Sequence, residues 1–391
     1  MTDAPLIYLI AGEPSGDLLG ARLMAALTRQ TGGRVRFAGI GGEEMRAAGL
    51  TSLFPQADLA VMGLVEVLPR LPVILKRLRQ TFADIEARAP VAVVTIDSWG
   101  FCGRIQAGLK QRGLPCRRIH YVAPMVWAWK AGRTRTLARC LDLLLTLLPD
   151  EPAWFEREGL RALHVGHPVI ESAIGESDPA AFRAAAGFTP DQRLLCLLPG
   201  SRRSETSRLL PVFGATVERL AQTHPDLALV VPTVETVAGA VESAMASWAL
   251  PARLVRGRDQ RYAAFAAADA ALAASGTVAL ELAMARVPSV IAYRVSPLSA
   301  FVATRFLGLD LRFVSLVNIL AGRAVMPERL QDACTPEALH AALVPLLEDP
   351  AAIAAQRDGA AEALARLGLG SGLSPSDRAA EAILTEIGAK A

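Results

Sequence analysis

Short apolar runs, each closed by glycine, proline, serine or aspartate and followed by a helical pattern, restrict the fold of this chain more than any other feature. Leu6–Ala11 is the first and runs into Gly-Glu-Pro-Ser-Gly-Asp. Val35–Ile40 ends in Gly41-Gly42, Ala92–Ile96 at Asp97, and Arg118–Val122 in Ala123-Pro124. Leu141–Leu147 ends before Pro149, and Ala162–Val165 ends in Gly166-His167-Pro168. A run that is apolar throughout belongs to a strand covered on both faces. Such strands alternating with helices predict parallel βαβ units. The pattern restarts at Leu194–Leu198 and continues through Leu227–Val231, Arg253–Val255, Ala268–Ala273 and Ser289–Tyr293. The joint falls near Pro168–Pro179, where Pro, Gly, Ser and Asp cluster. At 391 residues the chain suits two cores rather than one. The prediction is an α/β protein with one doubly wound domain over 1–168, a second over 169–350, and helices from 351 to 391 packing across both.

In open parallel sheets, ligands sit at the carboxyl ends of the strands. Two facing Rossmann-like domains set two such edges across one cleft, which is the GT-B architecture of two-domain glycosyltransferases. Ala270–Glu281 reads as a strand end, a turn at Ser275-Gly276-Thr277 and a helix start. Its free N–H groups and the helix dipole favour an anion. Glu281, one turn beyond Thr277, can accept bonds from hydroxyls, and phosphate plus a diol is nucleotide chemistry. An ordinary turn with a solvated glutamate fits the same letters. Pro199-Gly200-Ser201-Arg202 follows the first strand of the second half. Gly200 permits close backbone approach, Ser201 offers a hydroxyl, and Arg202 a planar fork for phosphate. No GxxxxGK[ST] run is present, which argues against a nucleoside triphosphatase, and no GxGxxG opens the chain for a dinucleotide.

On the first half, Gly12, Glu13, Ser15, Gly16 and Asp17 would line the opposite wall, although Ser15 or Asp17 as a helix cap fits equally. Ser15 is out of place for a hydrolase elbow. Asp97 closes an apolar strand and is a candidate general base, with a cap or turn as the alternative. Trp127 and Trp129 flank Ala128 beside a proline turn and suit either a sugar or acyl contact or a core anchor. Asn318, with Arg323, stands in an apolar run of the C-terminal half and looks placed there, although ordinary surface polars of a strand-to-loop passage fit the same letters. Val61–Leu78 is richly apolar, with Met62, Leu64, Val65, Leu68, Leu71, Ile74 and Leu75 beside Arg70, Lys76 and Arg77. That pattern suits a lipid surface or a core helix with snorkelling ends. Net charge is +3, from 41 basic and 38 acidic residues, which gives no argument for nucleic acid. Five scattered cysteines, none in CxxC spacing, predict no metal site and fit a reducing compartment. The N-terminus has no signal-peptide pattern, and no apolar run is long enough to span a bilayer.

Taken together, Ala11–Asp17, Met62–Leu68, Tyr121–Trp129, Leu198–Arg202 with Glu205, Ala274–Thr277 with Glu281, Ala292–Arg294 and Val314–Gly322 resemble, in order, the motifs of the lipid-A-disaccharide synthases. The resemblance implies a GT-B fold and inverting transfer without cofactor or metal. It implies UDP-2,3-diacylglucosamine as donor and 2,3-diacylglucosamine 1-phosphate (lipid X) as acceptor. The products would be a β-1,6-linked disaccharide 1-phosphate and UDP. It implies a cytoplasmic enzyme peripheral on the anionic cytoplasmic face of the inner membrane, and leaves room for a homodimer. Asp97 matches the family's favoured base, and Arg202 and Asn318 match residues important in it. Gly200, Ser201, Glu205, Ser275, Gly276, Thr277, Glu281 and Asn318 fall on the UDP-sugar side. Gly12–Asp17, Trp127 and Trp129 fall on the acceptor side. The chain departs from the family where Trp99, Gly100 and Cys102 replace a usual proline, aspartate and asparagine, and where Val317 replaces a proline. Other readings are a different UDP-sugar GT-B enzyme, such as an undecaprenyl-linked N-acetylglucosaminyltransferase or an epimerase, and a non-catalytic nucleotide-sugar binder.

Overall fold

The computed structural model describes residues 4–59, 64–124, 132–294 and 313–389, and for residues 64–70 the backbone alone. The chain divides into two compact units, Met1–Pro168 with Gly370–Ala391, and Val169–Leu369. Each holds a six-stranded parallel sheet flanked by helices.

In the first unit the strands are β1 Leu6–Ala11, β2 Arg36–Ile40, β3 Ala92–Ile96, β4 Arg117–Tyr121, β5 Leu143–Thr146 and β6 Ala162–His164. Their order is β2-β1-β3-β4-β5-β6. Ile7, Leu9 and Ala11 of β1 pack into one core cluster and Tyr8 and Ile10 into another, so the strand is apolar on both faces because both are covered. Leu19, Leu23 and Leu27 of the helix Pro14–Gln30 fill the first cluster, with Ile383 and Leu384 of the helix Pro375–Glu386. An Arg29–Asp377 ion pair at 2.7 Å ties these two helices together. Ile105 and Leu109 of the helix Trp99–Gln111 cover the other face.

The second unit holds β7 Leu194–Leu198, β8 Ala228–Thr233, β9 Ala252–Arg256, β10 Ala270–Ala274, β11 Ser289–Tyr293 and β12 Glu328–Leu330, in the order β12-β11-β10-β7-β8-β9. β12 has no counterpart in the sequence reading. Its three residues are half-buried and polar-rich, so no apolar run marks it. The helix Pro350–Arg366 packs on the helices Val278–Met284 and Leu316–Ala321 of this unit. The segment after 350 is thus divided between the two units.

Both sheets reverse direction at one point. The chain leaves β1 toward β2 on one side and returns to β3 on the other, and β7 stands likewise between β8 and β10. Each unit therefore has its own switch point, at the carboxyl ends of β1 and β3 in the first and of β7 and β10 in the second, the position where open parallel sheets take ligands.

Candidate functional site

The first switch point carries Gly12–Asp17 and Asp97-Ser98. The two turns abut: a Cβ on Gly12 would lie 3.0 Å from Ser98 Cβ, so a side chain there would press on Ser98. Asp97 and Ser98 have φ of 54° and 41°, and Val122, after the neighbouring β4, has φ of 80°. Aspartate tolerates left-handed backbone, but a β-branched residue such as Val122 does not, and such conformations cluster at functional sites. The Asp97 carboxylate accepts from its neighbour Ser98 N–H at 2.8 Å and from the Ser15 hydroxyl at 3.3 Å. The Ser98 hydroxyl donates to Glu13 Oε1 at 2.8 Å. Glu13, Ser15 and Asp97 therefore share one hydrogen-bonded edge.

Asp17 does not join them. It is 3% exposed, and its carboxylate accepts from the N–H groups of Gly42, Glu44 and Met45 at 2.7, 2.9 and 3.1 Å. It caps the helix Glu43–Ala47 after β2 rather than its own helix, so its acceptor-side placement is corrected to a structural one. Asp17→Ala, which strands three helix-terminal donors, is expected to cost about 2–3 kcal/mol in urea unfolding. Gly16 also serves packing, since a Cβ there would sit 3.2 Å from the Ile96 carbonyl.

Beneath this edge lies His120, fully buried, with Nδ1 2.8 Å from Thr95 Oγ1 and the ring edge-on to Trp99 at 4.7 Å. Burial pushes its pKa down to about 3, so it stays neutral and is no general base near neutral pH. Cys102 is also fully buried, and burial raises its pKa and holds the thiol protonated. Trp127, Trp129 and Met62 lie outside the described residues, as do the side chains of Leu64, Val65 and Leu68. On the helix Leu64–Arg88, Leu71 and Leu75 are each 44% exposed, beside the exposed Lys76 and Arg79. Ile74 departs from the expected surface set, because it packs with Leu78 against the core, one turn apart on the inner face.

The second switch point carries Gly200–Arg202 and Ser275–Thr277. Gly200 has φ of 108°, and a Cβ there would run into the Glu205 side chain, which folds back to accept from Ser201 N–H at 3.2 Å. Arg202 is exposed at the N-terminus of the helix Arg203–Thr223, and its side chain takes no hydrogen bond or ion pair among the described residues. Tyr293, at the end of β11, feels both Arg202 and Glu205, although burial dominates in raising its pKa. The N–H groups of Gly276 and Thr277 bond no backbone carbonyl among the described residues, whereas Ser275 N–H is tied to Ala292 O at 3.1 Å. Glu281 is half-buried and pairs with Arg261 Nη2 at 2.8 Å. Burial raises its pKa, and Arg261 and Arg258 oppose the rise. Sequence reasoning missed Arg261, which a cluster of arginines just after β9 signals only weakly.

Asn318 is corrected from ligand contact to support. It is fully buried, its amide N–H groups donate to Met326 O at 2.8 Å and Glu328 Oε1 at 2.7 Å, and its oxygen accepts from Val325 and Met326 N–H, both at 2.8 Å. No valence remains for a ligand. The Glu328 carboxylate in turn accepts from Val314 and Ser315 N–H, each at 2.9 Å, and the Ser275 hydroxyl donates to Val314 O at 3.4 Å. Asn318 therefore buttresses the wall behind the Ser275 turn. Among the described residues no three His, Cys, Asp or Glu side chains converge as a metal site, and no single helix is long and apolar enough to cross a membrane.

A family model described as lipid-A-disaccharide synthetase matches residues 7–377. The chain is 69% identical over 379 residues to the lipid-A-disaccharide synthase of Paramagnetospirillum magneticum, covering 97% of each chain. It is 54% identical over 382 residues to that of Rhodospirillum centenum, covering 98% of this chain and 94% of the relative. Among solved structures it is similar to an S. aureus MnaA–UDP co-structure, with a TM-score of 0.69, 15% identity and coverage of 98% and 97%. It is also similar to Acinetobacter baumannii MurG, with a TM-score of 0.58, 14% identity and coverage of 97% and 99%. These likenesses place the fold among the GT-B proteins.

Proposed function

This chain belongs to the lipid-A-disaccharide synthase family and is a glycosyltransferase of lipid A biosynthesis; we propose that Asp97 is its base and that the two turns of the second unit hold the departing nucleotide. The donor is UDP-2,3-diacylglucosamine and the acceptor 2,3-diacylglucosamine 1-phosphate. Asp97 takes the proton of the acceptor 6-hydroxyl as that oxygen attacks the anomeric carbon from the side opposite UDP. The carbon–oxygen bond to UDP breaks with its electron pair, the anomeric centre inverts, and a β-1,6 linkage forms. Ser15 and the Ser98 N–H orient the base, and Gly12 and Glu13 shape the edge beside it.

UDP departs with negative charge that needs fixed donors. Arg202, Ser201 and the N–H groups of Gly276 and Thr277 supply them, with Gly200 and Ser275 setting the backbone. Removing one such donor typically costs about 10²–10³-fold in turnover. Arg202→Ala is therefore expected to lower kcat by about 10²-fold with an unchanged unfolding midpoint, since the exposed side chain supports nothing in the fold. Glu205 holds the Gly200 turn closed, and Glu281 accepts from the ribose diol. The exposed Leu71 and Leu75, with Lys76 and Arg79, lie on the anionic cytoplasmic face of the inner membrane, so the acyl chains need not fully leave the bilayer.

The observation that supports this reading most directly is the placement of Asp97 and of the Arg202 and Ser275 turns at the two topological switch points. Mass spectrometry of the products formed from the two lipid substrates tests it. The disaccharide 1-phosphate with stoichiometric UDP is expected; UDP binding with no condensed product would overturn it.

A further inference from the structure

Gln56 opens the short turn Gln56–Asp58, in the segment between β2 and the helix Leu64–Arg88. Its Nε2 donates to Ala11 O at 2.9 Å and to Glu13 O at 3.1 Å, the two carbonyls that flank Gly12. Both amide protons are thereby used on one turn. The side chain is itself held in place. A Cβ on Gly42 would fall 2.5 Å from Gln56 Oε1, so the glycine after β2 leaves room for the amide. Two residues on, Asp58 accepts from Arg77 Nε of the helix Leu64–Arg88 at 2.8 Å, which ties the turn from its other end.

The turn that Gln56 grips lies beside Asp97 by register, because Ala11 of β1 pairs with Ile96 of β3. Glu13 has extended backbone, and its side chain does not cap its own helix. The carboxylate accepts instead from the Ser98 hydroxyl at 2.8 Å, and the Ser98 N–H bonds Asp97 Oδ1 at 2.8 Å. Glu13, Asp97 and Ser98 are all partly exposed, so hydrogen bonds rather than burial hold them. We propose that Gln56 is a positioning residue for the transfer: by holding both carbonyls around Gly12 it fixes the Glu13 carboxylate, which through Ser98 sets the direction of the Asp97 carboxylate. This rests on the reading of Asp97 as the base. A base displaced by about 1 Å from the attacking hydroxyl loses rate without losing substrate.

The test is a double-mutant cycle on the full-length protein, assayed with the two lipid substrates. Gln56→Met keeps the length of the side chain and removes the donors. It is expected to lower kcat by about tenfold or more, with KM for either substrate and UDP affinity within about twofold of wild type. In an Asp97→Asn background the same substitution is expected to change kcat by less than about twofold, because the group it positions no longer takes the proton. Gln56→Lys restores donors to both carbonyls and is expected to bring kcat back to within about threefold of wild type. Gln56→Asn, whose amide falls one methylene short of the turn, serves the same cycle where Gln56→Met does not fold. An unchanged kcat in Gln56→Met, an equal fall in both backgrounds, or a Gln56→Lys enzyme as slow as Gln56→Met overturns the assignment and leaves Asp97 as the base. A near-normal kcat in Asp97→Asn overturns the base reading and the assignment with it.

Discussion

Asp97→Asn is expected to reduce turnover with the two lipid substrates by about 10²–10⁴-fold, the range a positioned general base contributes, while the protein stays folded. The substitution is well matched to the position. Asparagine tolerates left-handed backbone as aspartate does, so the φ of 54° at residue 97 is not strained further. Its carbonyl can still accept from the Ser98 N–H, which bonds Asp97 Oδ1 in the present structure at 2.8 Å. What is lost is the capacity to take a proton from the attacking hydroxyl. UDP affinity is expected to remain near wild type, because Asp97 belongs to the first unit and the turns proposed to hold UDP belong to the second. Steady-state assays, UDP titration and thermal unfolding separate these effects. Near-normal kcat in a folded protein would remove Asp97 from the base role.

Asn318→Ala is expected to act in the opposite sense, on the fold before the chemistry. Four hydrogen bonds vanish from a fully buried site, leaving the Val325 and Met326 N–H groups and part of the Glu328 carboxylate without partners. Each buried group left unpaired costs about 1–3 kcal/mol, so a loss of about 3–5 kcal/mol follows after partial relaxation. Denaturant unfolding in the absence of any nucleotide measures it. A residue that only touched ligand would leave that measurement unchanged, so a loss below about 1 kcal/mol would return Asn318 to the ligand side. Where the variant stays folded, weaker UDP binding is expected as well, because Glu328 and Val314 back the Ser275 turn.

The strands were legible because parallel sheets covered on both faces need continuous apolar runs, and Leu6–Ala11, Ala92–Ile96, Leu194–Leu198 and Ala270–Ala274 all show them. Edge strand β12 was not, because Glu-Arg-Leu carries no such run. The turns after those strands could likewise be placed, since special residues collect where strands end and helices begin. Side-chain roles within the turns were a different matter. Asp17 and Ser15 are two residues apart in one motif, yet one caps a neighbouring helix and the other bonds Asp97. Asn318 fell on the UDP-sugar side through the family resemblance, and a polar residue in an apolar run is a pattern that a saturated buried amide produces equally well.

The sequence by itself determined two doubly wound halves, the strand ends where open parallel sheets take ligands, and through its ordered motifs the family. Those features depend on local periodicity and turn chemistry, which neighbouring residues carry in full. Only the tertiary structure decided which polar groups remain open. Glu281 keeps an oxygen unclaimed because Arg261, twenty positions earlier, takes only one, and Asn318 keeps none because Met326 and Glu328 close around it. A hydrogen bond consumes a valence wherever its partner lies along the chain, so what is left for a ligand becomes visible only when distant segments are brought together.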